Sequence, residues 1–297
     1  MDHAPLPFRH ILLALCVVAV WGTNFVVIRV GLDHLPPLLF AGLRFVLAAL
    51  PGIFLLPRPK ARWGNLAAYG LLIGSGQFGL LFVAMRGHIS PGLASLVIQL
   101  QVFFTIGLSV ALAGERVRGF QWVALVLAAS GILVIALNVD ATTTPLGLAL
   151  VVAAAFSWAC GNMAAKASGV RDMLPYVVWA SLFSAPPLLA LSLALEGWEA
   201  IRAGVASADG WTWAALVWQA AGNTLFGYSI WAFLLSRHPA ASITPMALLV
   251  PVFGMAASAL FLGEPLPGWK LLAALLVMSG LALGLLYPRL RARRAPA

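Results

Sequence analysis

Trp21 and Asn24 stand three residues apart, Trp158 and Asn162 four, and Tyr228 and Trp231 three. Those spacings put each pair on one face of a helix. Gln77, Gln99 and Gln101 add amides, and Asn223 another, all inside long apolar stretches. A polar group facing lipid is costly, so these side chains are expected to turn inward. Aromatic walls with a few neutral hydrogen-bonding groups make a pocket that can hold and release a compact, net-neutral solute. The candidate substrate-binding residues are therefore Trp21, Asn24, Gln77, Gln99, Trp158, Asn162, Tyr228 and Trp231. For each, a packing role as a helix-bridging amide or an interfacial ring stays open. That alternative is weaker for Trp21 and Trp158, which lie near mid-depth. Covalent chemistry has no footing here: GxSxG, HExxH, a phosphate loop and clustered His and Asp are all lacking. The five histidines fall in loops or at helix ends. No cofactor or metal is expected, and no enzyme.

Helices crossing a bilayer must position these groups. Of 297 residues 62% are hydrophobic and 9% charged, with a mean hydropathy of +0.98. So few charges cannot cover a water-exposed surface of this size. The apolar runs are continuous rather than alternating, which selects helices over a barrel. The runs predict an all-α integral membrane protein with ten transmembrane helices: 11–28, 38–56, 66–85, 92–113, 122–137, 147–165, 176–195, 213–235, 241–262 and 269–286. Residues 1–10 form the N-terminus, 11–140 a first five-helix repeat, 141–287 a second, and 288–297 a basic tail. The connections are short, the longest beginning at Glu196. Arg9, Arg58, Lys60, Arg62, Arg116, Arg118, Lys166, Arg171, Arg237, Arg289, Arg291, Arg293 and Arg294 collect on one side. Arg29, Arg86, Arg202 and Lys270 collect on the other. The positive-inside rule makes both termini cytoplasmic, and the +9 charge reads as topogenic, with membrane lipid rather than nucleic acid as its partner. The first run is too long for a cleaved signal and is taken as a span. Cys16 and Cys160 have no metal or CxxC spacing and are expected to pack as small apolar residues.

The second half echoes the first. Trp21 with Arg29 is matched by Trp158 with Lys166, each pair eight residues apart, with Asn24 and Asn162 between. Pro91-Gly-Leu-Ala-Ser95 is echoed by Pro239-Ala-Ala-Ser242. Gly114-Glu115-x-x-x-Gly119 and Ser130-Gly131 are echoed by Gly263-Glu264-x-x-x-Gly268 and Ser279-Gly280, with sixteen positions from Glu to the final Gly in each. An odd number of spans inverts the second copy. Two inverted copies can exchange inward-open and outward-open shapes with little energy difference, the basis of alternating access around a central cavity. Receptors and intramembrane enzymes have no need of this symmetry.

Other residues complete the expectation. Gly70-x-x-x-Gly74 and Gly280-x-x-x-Gly284 have close-approach spacing, and Pro186, Pro187, Pro245 and Pro251 interrupt helical bonding. Pro245 and Pro251 are the hinge candidates because their span carries the repeated motif. No carboxylate falls well inside a span, so facilitated diffusion is favoured over a buried proton relay. Arg44 is expected to snorkel to the external interface. Glu115 and Glu264 are expected to end helices or pair with a neighbouring loop. No central cluster of cations exists to hold phosphate.

Trp21-Gly-Thr-Asn24-Phe-Val-Val-Ile-Arg29, Pro36-Pro37-Leu-Leu-Phe-Ala-Gly-Leu-Arg44-Phe45, Pro91 to Ser95, Ala155-Phe-Ser-Trp158-Ala-Cys-Gly-Asn162 and Leu249-Val-Pro251 followed by Gly263-Glu264 resemble the EamA-type exporters of the drug/metabolite transporter superfamily. The likeness runs from about Leu12 to Leu286. It implies a basket of two inverted five-helix repeats in a bacterial inner membrane. It also implies export of amino acids or related metabolites such as cysteine, O-acetylserine or aromatic amino acids. Efflux of aromatic or lipophilic toxic compounds is the rival transport reading, and a non-transporting sensor the rival of another class.

Overall fold

The computed structural model describes residues 7–113, 119–138, 142–238 and 243–294. Among them every regular element is a helix. In chain order these are α1 (Phe8–Gly31), α2 (Pro37–Leu55), α3 (Trp63–Met85), α4 (91–113), α5 (Gly119–Leu137), α6 (Pro145–Ser168), α7 (Met173–Glu196), α8 (Trp198–Ser207), α9 (210–237), α10 (244–262) and α11 (Gly268–Arg294). Seven, α1 to α7, are long and apolar enough to cross a membrane. Shorter apolar helices follow at Met246–Leu262 and Gly268–Gly284. Backbone amides have no water to bond in hydrocarbon, and helices satisfy them internally. The chain is a multi-pass helical membrane protein.

Local chemistry sets the boundaries. Pro37, Pro91 and Pro145 occupy first turns, where a missing N–H costs nothing. Thr144 caps α6 by accepting from the Gly147 N–H at 3.0 Å. Gly169 and Gly263 end α6 and α10 at φ +68° and +65°, a conformation that L side chains rarely adopt. The connection after Glu196, read from sequence as loop, contains the ten-residue α8. Its Trp198 and Val205 are exposed, while Gly204 lies against the His34 carbonyl and Pro36.

Besides the π turns that end α7 at Ser192–Glu196, irregular turns of two kinds fall at corresponding places in the two halves. α3 runs through π turns at Leu71–Gly79 and α9 through π turns at Gln219–Phe226. α4 tightens to a 3₁₀ turn at Ile98–Leu100 and α10 at Thr244–Leu249. Packing has the same pattern: α1 lies on α10 and α9, α6 lies on α4 and α3, α2 faces α7, and α5 faces α11. Exchanging α1 with α6, α2 with α7, α3 with α9, α4 with α10 and α5 with α11 maps these pairings onto themselves.

Small residues permit the close contacts. A Cβ at Gly70 or Gly74 would overlap Ala180 or Ser184 of α7, as the spacing predicted. In the second motif a Cβ at Gly280 would lie 2.6 Å from the Ala124 carbonyl, so only glycine fits there. Gly284 would make an ordinary contact with Ala124 at 3.9 Å. Cys16 is exposed rather than packed, a departure from its expected role, whereas Cys160 is half-buried. Of the four tryptophans expected at the membrane interfaces, Trp122, Trp211 and Trp213 are exposed and Trp269 is half-buried.

Candidate substrate site

Trp21 lies half-buried midway along α1, its ring 5.2 Å from Trp231 and 5.9 Å from Tyr228 of α9. Its indole N–H donates to the Asn223 carbonyl at 3.2 Å. Gly227 makes room for that ring, since a Cβ there would overlap the indole nitrogen. One turn further along α1, Asn24 is 4% exposed and accepts from Gln219 Nε2 at 2.7 Å. Gln219 Oε1 accepts from Arg44 Nη1 at 3.0 Å. A guanidinium can only donate, so the orientations of Gln219 and then of Asn24 follow from it. Arg44 Nη2 donates to Thr224 Oγ1 at 3.2 Å, and that hydroxyl donates to the Gln219 carbonyl at 3.0 Å. The π turns of α9 thus turn Gln219, Asn223 and Thr224 toward α1 and α2. Such turns recur at functional sites because they break the regular hydrogen-bond ladder.

Arg44 corrects the sequence expectation. It does not snorkel: it is 1% exposed, with its guanidinium 3.8 Å from the centre of the Phe78 ring and 5.1 Å from that of Phe45. α2 is packed between α7 and α9, and the polar π turn of α9 supplies partners that lipid could not.

α6 with α4 and α3 assembles a counterpart. Asn162 Nδ2 donates to Gln101 Oε1 at 2.9 Å and to Thr105 Oγ1 at 3.2 Å, tying α6 to α4. Trp158, half-buried, packs against the apolar core. Gln77 and Gln99 are 4% and 8% exposed, and neither side chain has a hydrogen-bond partner among the described residues. Of the eight expected residues, Trp21, Asn24, Tyr228 and Trp231 form one connected group. Asn162 belongs to a separate bridge, and Gln77, Gln99 and Trp158 make no polar contact with either. Arg44, Gln219 and Thr224 were missed, although the run Gln219-Ala-Ala-Gly-Asn-Thr224 is a polar interruption legible in an apolar helix.

Of the hinge candidates, Pro251 is buried at the start of the regular part of α10. Pro245 lies in the 3₁₀ turn, and its side chain is outside the described residues. α10 is closely held near Pro251: a Cβ at Gly22 would sit 2.5 Å from Phe253 Cβ, and one at Gly254 the same distance from Ser95 Cβ.

Two carboxylates fasten one end of the molecule. Glu196, at the end of α7, accepts from the Leu38 and Leu39 N–H groups at 2.7 and 3.2 Å, completing the first turn of α2. Glu264 accepts from Lys270 Nζ at 2.8 Å, from the Gly92 N–H at 3.0 Å and from the hydroxyls of Ser90 and Ser258. Burial alone would raise its pKa, but these four donors outweigh burial and hold it below the usual carboxylate value. The expected pairing of Glu264 is therefore observed; Glu115 lies outside the described residues.

A known family accounts for this arrangement. The model of the EamA-like transporter family matches twice, at residues 8–137 and 145–286. Proteins named "Probable amino-acid metabolite efflux pump" are 44% identical in Salmonella typhimurium, over 94% of this chain and 95% of the relative, and 44% identical in Escherichia coli, over 91% and 92%. A "Probable terminal-alkyne amino-acid exporter" of Streptantibioticus cattleyicolor is 28% identical over 90% of both chains. One solved crystal structure, 20% identical, shares the fold with a TM-score of 0.63, covering 97% of this chain and 98% of that one. The chain belongs to the EamA-like transporter family.

Proposed function

We propose that this protein exports amino acids or related small, net-neutral metabolites across a bacterial inner membrane by alternating access. The observation that carries the reading is the Trp21, Tyr228 and Trp231 group set against the Asn24, Gln219, Arg44 and Thr224 network. Rings there exclude water, and amides hold the polar end of a solute. Gln77, Gln99, Trp158 and Asn162 contribute the second wall, where the Gln77 and Gln99 amides, bonded to no side chain or backbone group among the described residues, are available to a ligand. The relatives named as amino-acid metabolite efflux pumps support the same cargo class.

Ten helices cross the membrane as two inverted repeats, α1 to α5 and α6, α7, α9, α10 and α11. The doubled family match, the matching π turns of α3 and α9, the matching 3₁₀ turns of α4 and α10 and the self-mapping pairings support this count. Pro245 and Pro251 bracket the turn at which α10 bends between the two shapes. Both termini face the cytoplasm, and the basic tail meets anionic lipid.

Uptake of labelled amino acids into proteoliposomes is the test. Saturable uptake that needs the protein is expected, and equal flux with and without it across an amino-acid panel removes the reading. The aromatic group also favours a second reading, efflux of lipophilic aromatic compounds. Such compounds would then outcompete amino acids for the same uptake.

A further inference from the structure

We infer that Arg44 is the group on which the transported solute places a carboxylate, so that an anionic carboxylate is required of the cargo. This deepens the proposed function and rests on it. Arg44 is 1% exposed, yet among the described residues no carboxylate lies within ion-pair distance of it. Its partners Gln219 and Thr224 are neutral, and the titratable side chain within electrostatic reach is the phenol of Tyr228. A buried cation without a counter-ion is costly unless something supplies the charge when the protein works. Two of its five N–H donors are engaged, and Nε has no partner. An Nε–H beside an Nη–H is the edge that grips a carboxylate through two parallel bonds.

The fold itself does not demand this charge. α7 is the counterpart of α2 in the packing, and its stretch Met173–Leu191 contains neither Lys nor Arg. The same scaffold is therefore built in the other half without a cation. Tyr228 is also within 5.9 Å of Trp21, so the cation and the aromatic group share one residue. A zwitterion with its carboxylate on Arg44 would set its ammonium against those aromatic faces, where cations are attracted. One cation suits one carboxylate rather than a phosphate. A lipophilic cation would be repelled.

The test begins with purified protein in proteoliposomes and competition against labelled amino-acid uptake. Competitors are an amino acid, its carboxamide and its decarboxylated amine. Wild type should prefer the acid by about tenfold or more, the scale of losing a buried charge-paired hydrogen bond. Arg44→Lys should keep part of the preference, and Arg44→Gln should abolish it. Gln219→Glu keeps Arg44 and its packing but gives it an internal carboxylate, so that variant should fold and lose the preference even where Arg44→Gln does not fold. A carboxamide that competes as well as the acid in wild type overturns the inference and leaves the transport reading intact. So does a Gln219→Glu protein with undiminished acid preference.

A second measurement separates the two failures. Melting of the detergent-solubilised protein is followed with butyrate and with butyramide. Stabilisation by butyrate alone, lost in Gln219→Glu, supports Arg44 as a carboxylate site even if no amino acid is transported. Equal response to both compounds, with no amino-acid uptake, removes both readings.

Discussion

At the residue scale, function is separated from stability by which polar groups lack protein partners. Asn162 is spent on Gln101 and Thr105, so its loss should loosen the contact of α6 with α4 before it touches cargo. Gln77 and Gln99 are largely buried and make no side-chain hydrogen bond among the described residues, so replacing either with an apolar side chain breaks no protein bond. Gln99→Leu is expected to leave the melting temperature unchanged or raise it while cutting amino-acid uptake several-fold. Thermal unfolding and proteoliposome flux on the same preparation check both halves, and full flux would assign Gln99 to packing. Spacing paired Trp21 with Asn24 and Tyr228 with Trp231, but nothing in it tells these four from the other four candidates. Arg44 was misplaced because snorkelling depends on what surrounds the helix, and the neutral partners that retain it come from Gln219 and Thr224, 175 and 180 residues away.

At the scale of elements, helix breaks are as informative as helices. Hydropathy located the apolar runs, but it is blind to the π turns at Leu71–Gly79 and Gln219–Phe226, which no proline marks. Those turns depend on tertiary contact, Gly74 fitting against Ser184 on one side and Gly227 beneath Trp21 on the other. The Glu264 clasp was only half legible. The repeated Gly-Glu pair announced a helix end, yet its partners Ser90 and Gly92 belong to a distant turn. Glu264→Gln leaves Lys270 buried at 2% exposure without its carboxylate, a loss of about 3 kcal/mol. Adding Lys270→Met should restore part of it. The folded-state pKa of Glu264 lies below the unfolded value near 4.5, so its contribution is complete above that pH and disappears as pH falls through the folded value. Wild type should therefore lose more thermal stability than Glu264→Gln when acidified below about pH 4.5. Parallel pH dependences would show that the carboxylate carries no such linkage.

At the scale of the whole molecule, the polar contacts that join helix ends and connections sort into two sets. His34 meets Thr212, Leu38 meets Glu196, Thr144 meets the His88 carbonyl, and Gly92 meets Glu264. Every one joins segments that the charge pattern assigns to the poorly charged side. His10 meets His238, Tyr176 meets Asn65, and Trp179 meets the Leu56 carbonyl, all on the side that collects most of the lysines and arginines. An impermeant thiol reagent should therefore label Arg202→Cys in intact cells and Lys60→Cys only after permeabilisation, in a Cys16→Ser and Cys160→Ser background. The reverse pattern would invert the proposed orientation. Charge also bears on how the cycle runs. In the sequence, none of the chain's nine Asp and Glu residues stands midway through an apolar run. A zwitterion bound to one cation and an aromatic wall brings no net charge, and there is no carboxylate at mid-depth to load with a proton. Export should then equilibrate the amino acid across the membrane, unaffected by an imposed potential and with no accumulation under a pH difference. Accumulation driven by either gradient would mean that Arg44 or a group at the helix ends changes its charge during transport, and the pH at which the drive appears would identify which.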